Sequence, residues 1–483
     1  MRSLFQCFAV TLLALLVAAA PARAAGSRQS AEFTAGWTFA RTDTRQASDP
    51  SFDDAAWDKV TLPHTFNAGD GERPDYYRGP VWYRRAFEVR ARRPDRRLFV
   101  QFDGAATAAD VYLNGRHIGR HEGGHAAFRF DLTHGVRIGR NVLAVRVDNG
   151  FAKSVAPLGG DFTIFGGLYR PVSLIEVDAT HFDLLDHGAA GIYALARDIR
   201  PGNATVEVQA RVRNMTGSRR VPLTVRILDS QSREVARANQ MVQLPAHGVR
   251  PVHVQMMLPN PRRWDGVRDP YLYHIVAQLG ANGDQVTVPL GIREFRFDPE
   301  RGFILNGRAY PLRGANLMHS ARPGKGTAVT LEEIREDFAI LKGMGSTGVR
   351  LVHFQHPQAA YDEADRLGLA AWTEIGINSL VEDTPEFRAN ARQQLKELIL
   401  QNFNHPSVVL WGLGNEVYST EPHVARILAE LDGVAKQIDP SRPTVYAHCC
   451  QGEDDPKAKV TDVIGFNKYF GWYPDQKGMI GEW

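Results

Sequence analysis

Cysteine is scarce in this chain. Its 483 residues hold three, Cys7, Cys449 and Cys450, too few for a disulfide framework. Cys7 precedes an apolar run, so it is not placed like a lipid-anchor cysteine. Cys449 and Cys450 are adjacent and read as small buried residues at the end of a strand. An excess of one charge sign is also missing. A formal net charge of +3 gives no electrostatic basis for binding nucleic acid or an anionic membrane. Long hydrophobic runs are absent after the first residues, which excludes an ordinary membrane helix. The apolar stretch at 8–20 follows Arg2, is short for a membrane span, and leads to Ala22-Arg23-Ala24, a small-x-small cleavage pattern. Residues 1–24 therefore read as a secretory signal peptide, and the mature protein is expected to be exported, to the periplasm or the medium. No His/Asp/Glu cluster at zinc-ligand spacing, no serine nucleophile elbow and no glycine-rich phosphate loop is visible.

What is present is β structure, followed by alternating strands and helices. Over 32–180 the segments LFVQF (98–102) and NVLAVRVDN (141–149) alternate in polarity. Leu143, Val145 and Val147 face one side and Arg146 and Asp148 the other, the period of a half-buried strand. Asn114-Gly115 sits between two strands, where a type I′ turn wants positive φ twice. This region is expected to be a β-sandwich. Over 181–297, TVEVQARVR (205–213) alternates strictly and strands recur at short spacing, as in an immunoglobulin-like sandwich. The sequons at Asn203 and Asn214 carry little weight, since such triplets arise by chance.

From 298 the pattern changes. A hairpin is expected at Asn306-Gly307. Thr330 and Glu333 form a capping box before a helix with an Ile334, Phe338, Leu341 stripe. Short strands then alternate with helices, which means a parallel sheet. Six strands are expected, ending at Asn316, His353, Glu374, Glu416, His448 and Tyr469. Polar residues gather at their C-terminal ends, as on the active face of a (β/α)8 barrel. A doubly wound sheet is the alternative, but GANLMHSARPGKG after the first strand lacks the dinucleotide-binding spacing.

Several motifs then become specific. NFNHPSVVLWGLGNE (402–416) resembles the acid/base signature of glycoside hydrolase family 2, which holds β-galactosidases, β-glucuronidases and β-mannosidases. GVRLVHFQHPQAAYDEADRLGLAAWTE (348–374) resembles that family's other signature. HEGGHAAFRFDLT and DFTIFGGLYRPV resemble its N-terminal sugar-binding (jelly-roll) domain, and RDPYLYHIVAQL followed by GIREFRF resembles the join between sandwich and barrel. The resemblance implies three folded domains after the signal at 1–24: a sugar-binding β-sandwich at 32–180, an immunoglobulin-like sandwich at 181–297 and a TIM barrel at 298–483.

Glycoside hydrolysis needs one carboxylic acid to protonate the leaving oxygen and a second to attack the anomeric carbon or activate water. Glu416 ends an apolar strand, where burial raises a carboxyl pKa. The resemblance implies that it is the general acid/base; an isolated glutamate there could equally cap a helix or pair with an arginine. By the same resemblance Asn415 contacts the sugar's 2-hydroxyl, His353 contacts substrate, and Asn467 and Tyr469 in GFNKYFGWY lie near the sugar and the nucleophile. Trp472 could stack on a sugar face or only pack under a loop. His319 follows the first strand, where the family often has a histidine, although the usual acidic neighbour is here Ser320. Asp161 matches an acid that the first domain reaches into the barrel site in β-galactosidases. Glu374 could shape the site or bind a hydroxyl. Arg350, pointing into the barrel, needs a carboxylate partner: either the family's nucleophile, which would leave it unpaired here, or Glu374.

The nucleophile of the family ends barrel strand seven, and this sequence is expected to supply six strands. Glu482 follows the sixth too closely to end another. The chain is therefore expected to be a C-terminally truncated glycosidase with an incomplete barrel, weak or inactive by itself. Asp161 and the aromatic-rich region favour a β-galactoside; β-glucuronidase or β-mannosidase specificity, or a non-catalytic carbohydrate-binding role, are the alternatives. Asn378 and Leu380 stand where some relatives have magnesium ligands, so no required metal and no cofactor are expected. The expected partner is a β-linked saccharide, with homo-oligomerisation possible only for the intact parent.

Overall fold

The computed structural model describes residues 28–70, 75–160, 162–320, 322–449 and 454–469. The signal-peptide segment, Asp161, Cys450, Trp472 and Glu482 lie outside them. Among the described residues no helix is long and apolar enough to cross a membrane.

The first unit is a sandwich of two antiparallel sheets. One has six strands in the order Asp58–Val60, Trp37–Ala40, Pro80–Val89, Gly139–Asp148, Ala108–Leu113, Arg116–Glu122; the other has four, Gln29–Glu32, Val172–Asp178, Arg96–Phe102, Phe128–Asp131. Between them Leu143, Val145 and Val147 pack with Trp37, Tyr83 and Phe102. Ala144, on the opposite face, is buried too, under Trp82. The strands at 108–113 and 116–122 meet at Asn114 and Gly115, both at positive φ (53° and 85°), which is the expected tight turn.

The second unit is an immunoglobulin-like sandwich of two four-stranded antiparallel sheets. Along Asn203–Asn214, Ala204, Val206, Val208, Ala210 and Val212 all face its core. Asn214 is fully buried, and its amide donates to the carbonyls of Thr216, Gly217 and Pro245; this sequon is thus a turn-holding residue.

The third unit opens with a small antiparallel sheet, Phe295–Asp298, Gly302–Leu305 and Arg308–Ala309. Phe303, Leu305 and Tyr310 pack with Trp264 of the second unit and with Ala370, Val409, Leu410 and Val445 of the barrel sheet. That sheet is parallel and ordered as in the sequence: β1 (Gly314–Met318), β2 (Gly348–Val352), β3 (Ala370–Glu374), β4 (Val408–Asn415), β5 (Thr444–His448) and β6 (Val463–Phe466). Four helices cover its outer face: α1 (Leu331–Gly343), α2 (Gln358–Leu367), α3 (Pro385–Asn402) and α4 (Pro422–Ile438). The capping box of α1 forms in both directions, Glu333 N–H to Thr330 Oγ1 and Thr330 N–H to Glu333. The result is part of a barrel. Among the described residues β1 and β6 each have one strand neighbour, and the lumen between them is an open cavity of about 410 Å³ lined by Asn316, Arg350, Trp372, Asn467 and Tyr469 among others.

The segment Asn404-His405-Pro406-Ser407, which precedes β4, joins the units. The Asn404 amide donates to Ile192 O and accepts from Ala194 N–H, both at 2.8 Å, which ties the barrel to the second sandwich. His405 Nδ1 lies 2.7 Å from Asp365 Oδ2 on α2, and Asp365 Oδ1 accepts from Ser407 N–H at 2.9 Å. Both side chains are buried. Burial would lower the His405 pKa, but the Asp365 carboxylate outweighs it and holds the pKa above the usual histidine range. A folded-state pKa above the unfolded value of about 6.5 contributes stability below that pH and loses it as pH rises through the folded value. The thermal-stability advantage of the wild type over Asp365→Asn is therefore expected to be greatest in mildly acidic buffer and to shrink in alkaline buffer. Melting both proteins across that range checks this, and a gap that widens with pH would contradict it.

Candidate active site

Strand β4 is buried along its whole length, as its Val-Val-Leu-Trp run dictates. Its glycines have a steric cause: a Cβ on Gly412 would lie 2.4 Å from Glu374 Cβ, and one on Gly414 3.1 Å from Ile377 Cγ2. Close approach of β3 to β4 thus requires glycine. The next residue after the strand is Glu416, half-buried, with φ of 48°. Few non-glycine residues adopt this left-handed conformation, and those that do cluster at functional sites. Two hydrogen bonds fix the backbone there. Glu416 N–H donates to Ala447 O at 2.9 Å, and Val417 N–H donates to the Tyr446 hydroxyl oxygen at 2.9 Å.

A continuous polar network leads from Glu416 across the strand ends. Asn467 Nδ2 donates to Glu416 Oε1 and, at 3.0 Å, to Asn415 Oδ1. Arg350 Nη2 donates to the same Asn415 oxygen at 2.8 Å, and Nη1 to Asn467 Oδ1 at 3.3 Å. Arg350 also holds Glu374 by Nε at 3.0 Å and Nη2 at 3.1 Å, while its guanidinium lies 4.0 Å over the Trp372 ring. Glu374, fully buried, takes a further bond from His353 Nδ1 at 2.9 Å. The His353 ring stacks on Phe162 of the first sandwich at 5.7 Å and 18°.

Glu416, Asn415, Asn467, Arg350, Glu374 and His353 therefore form one cluster. Of the two partners open to Arg350 the structure has Glu374, so the guanidinium is not unpaired, and Asn415 and Asn467 accept two further bonds from its fork. Tyr469 is exposed at the rim of the lumen. His319 is not brought into the cluster. It is buried against Tyr169 and His356, and burial keeps its pKa well below the usual value. Asp161 and Trp472 lie outside the described residues. Asn378 is buried, its Oδ1 accepting from Ser379 Oγ, and Leu380 is half-exposed. The reading of Cys449 as a small buried residue is corrected as well, since Cys449 is partly exposed and disulfide-bonded.

Three contributors were missed in the sequence. Phe162 adjoins the singled-out Asp161 in DFTIFGG. Trp372 is the one large aromatic of a strand of otherwise small residues, AAWTE, a visible signal. Tyr446 lies on the helix-facing side of TVYAH, packed with Leu413 and Leu428, and gives no hint that its hydroxyl supports the Glu416 turn.

Two β-sandwiches in series ahead of a parallel barrel sheet, with an asparagine–glutamate pair presented at the tip of its fourth strand, make this the architecture of a multidomain glycoside hydrolase. Three family profiles match in order: the sugar binding domain of Glycosyl hydrolases family 2 at 38–178, Glycosyl hydrolases family 2 at 193–293, and the family 2 TIM barrel domain at 299–481. The chain belongs to glycoside hydrolase family 2. It is 36% identical over 428 residues to a β-glucuronidase of Bacteroides fragilis, covering 86% of this chain and 61% of the relative. It is 30% identical over 454 residues to a β-galactosidase of Thermoanaerobacter pseudethanolicus, covering 92% and 58%. The crystal structure of a Bacteroides uniformis β-glucuronidase superposes with a TM-score of 0.88 at 32% identity, covering 92% of this chain and 56% of that one. The chain thus spans little more than half the length of these relatives.

Proposed function

We propose that the chain is part of a retaining exo-β-glycosidase, with Glu416 as its general acid/base. The observation that carries this reading is the Glu416 carboxyl at the end of a buried strand, held in a left-handed turn and hydrogen-bonded by Asn467. In the proposed cycle Glu416 protonates the glycosidic oxygen while a second carboxylate attacks the anomeric carbon. The same Glu416 then takes a proton from the water that releases the sugar. Glu374 does not suit the second role, since Arg350 and His353 occupy both its oxygens. We assign the nucleophile to chain outside the described residues, beside the open lumen near Arg350 and Asn467, about 5 Å from Glu416 as retention requires.

Asn415, His353, Asn467 and Tyr469 supply substrate contacts in this reading, with Asp161 and Trp472 as further candidates and Arg350 and Glu374 as the frame beneath them. The sugar is a β-linked hexoside. The galactoside preference rested on Asp161 and the aromatic-rich region, whereas the similarity to β-glucuronidases of two Bacteroides species favours a β-glucuronide. We therefore read the glucuronide as the substrate to test first and the galactoside second.

The experiment is hydrolysis of the p-nitrophenyl β-glucuronide and β-galactoside, by this chain and by a form extended to the length of its relatives, with the first-formed anomer followed by proton NMR. The extended form is expected to release the β-anomer and this chain to turn over weakly. Initial release of the α-anomer would exclude the retaining mechanism.

A further inference from the structure

We propose that Glu374 is a positioning residue that keeps the proton of His353 on Nδ1, so that Nε2 is left as an acceptor and selects a substrate hydroxyl acting as donor. The hydroxyl is a sugar hydroxyl on the glycosidase reading above; the assignment of the proton does not depend on that reading.

The geometry leaves His353 little choice. An ionised carboxylate offers only acceptor sites, and Glu374 is closed in by donors: two guanidinium nitrogens of Arg350 and the Nδ1 of His353 at 2.9 Å. No water-exposed edge remains, since Glu374 has no exposed surface. Nδ1 must therefore carry a hydrogen. Arg350 already balances the Glu374 charge, so a second proton on His353 would set an uncompensated cation beside the guanidinium. That leaves a neutral ring with a lone pair on Nε2. This nitrogen has no hydrogen-bond partner among the described residues, and the side chain keeps 14% of its surface exposed. Stacking on Phe162 at 5.7 Å fixes the plane of the ring, so the lone pair has one direction. The carboxylate is thus remote from the sugar and acts through the imidazole, much as an outer partner fixes the tautomer of a metal-bound histidine.

A neutral acceptor of this kind discriminates by hydrogen-bond sense. A hydroxyl can donate to Nε2, whereas fluorine in the same place cannot. Non-hydrolysable β-thioglycosides of glucuronate and galactose, with each ring hydroxyl in turn replaced by hydrogen or by fluorine, are titrated into the wild-type chain. At one ring position the deoxy and deoxyfluoro ligands are both expected to bind about tenfold more weakly than the parent, the loss of one hydrogen bond that leaves a polar group unpaired. His353→Phe is expected to level that difference.

Independently, ¹⁵N-histidine-labelled protein, with the His353 signal assigned by the same variant, is expected to show Nδ1 protonated and Nε2 bare at neutral pH. Glu374→Gln offers an amide that can donate to Nδ1. It is expected to move part of the proton to Nε2 and to restore binding of the deoxyfluoro ligand, changes that a merely structural role for Glu374 would not produce. Should Glu374→Gln fail to fold, the wild-type spectrum and the ligand series still decide. A ring protonated on Nε2 alone, a doubly protonated ring, or deoxyfluoro ligands that match the parent at every position would each overturn the proposal. If no thioglycoside binds while the spectrum shows the expected tautomer, the selection of a sugar hydroxyl falls and the Glu374–His353 assignment stands, while the glycosidase reading is decided by the extended form.

Discussion

Glu416→Gln, in a form of the enzyme that turns over, is expected to lower kcat/KM for an alkyl β-glycoside by about 10²–10⁴-fold, the usual contribution of a positioned general acid. The same change should barely alter kcat/KM for a dinitrophenyl glycoside, because that leaving group needs no proton. It should still lower kcat there, since the second half-reaction loses its base. This dependence on the leaving group separates chemistry from structure. Glutamine retains an oxygen to accept from Asn467 Nδ2, the bond that orients the native side chain, so the local fold has no reason to change. Equal losses for both substrates would point to a collapsed pocket, and no loss for either would remove Glu416 from the mechanism. A carbohydrate-binding protein without catalysis would show no turnover to lose, and its affinity would be indifferent to the substitution.

The largest effect on stability is expected from Arg442→Met. Arg442 is 6% exposed. Its Nη1 donates to Asp439 Oδ2 at 2.6 Å, Nε to Val408 O at 2.9 Å, and Nη2 to Phe403 O and His405 O at 2.8 and 3.1 Å. Asp439 has no exposed surface and also accepts from Trp411 Nε1 at 3.0 Å. Burial would raise the Asp439 pKa, but the Arg442 charge and the bonds from Ser441 and Trp411 hold it below the usual carboxylate range. Methionine would remove the cation paired with that carboxylate and the donor to Phe403 O, while Val408 O keeps Arg293 Nη2 and His405 O keeps Val408 N–H, a cost of about 3–5 kcal/mol. One term acts in the other direction. Arg293, whose pKa is lowered first by burial and then by the Arg442 charge, would lose a like-charged neighbour, but this relief is smaller than the loss of a buried pair.

The pH dependence of this variant follows from the depressed carboxyl. A folded-state pKa below the unfolded value of about 3.9 gives stability that is present above that pH and is lost as pH falls through the folded value. The deficit of Arg442→Met should therefore be full at neutral pH and shrink in strongly acidic buffer. Adding Asp439→Asn should recover much of it. Denaturant unfolding across pH checks both points, and a deficit that grows in acid would refute the assignment.

The features that could be read from the sequence were those whose causes are local. The alternation in 141–149, the Asn-Gly turns at 114 and 306, the capping box of Thr330 and Glu333, and the parallel order of six strands all depend on neighbours within a few residues. The strand-tip glutamate was legible for the same reason, because an apolar run ending in Gly-Asn-Glu has few uses. What was not legible depended on distant partners. Nothing near Arg350 distinguishes Glu374 from a nucleophile elsewhere, and only folding brings the two within 3.0 Å. His405 stood inside a motif read as part of the acid/base signature, yet its partner is Asp365 on α2, and Asn404 answers to residues more than two hundred positions away. His319 carried a family expectation, but the packing of Tyr169 and His356 draws it elsewhere.

The stacking of Phe162 on His353 has a bearing on how this molecule can be cut. The leading sandwich does not hang beside the barrel as a removable lectin; it sets Phe162 against His353, a member of the cluster that includes Glu416. Deleting it should cost the ring its support and leave the imidazole free to swing, so a shortened protein would lose recognition at the reaction centre itself, with targeting to polysaccharide a separate question.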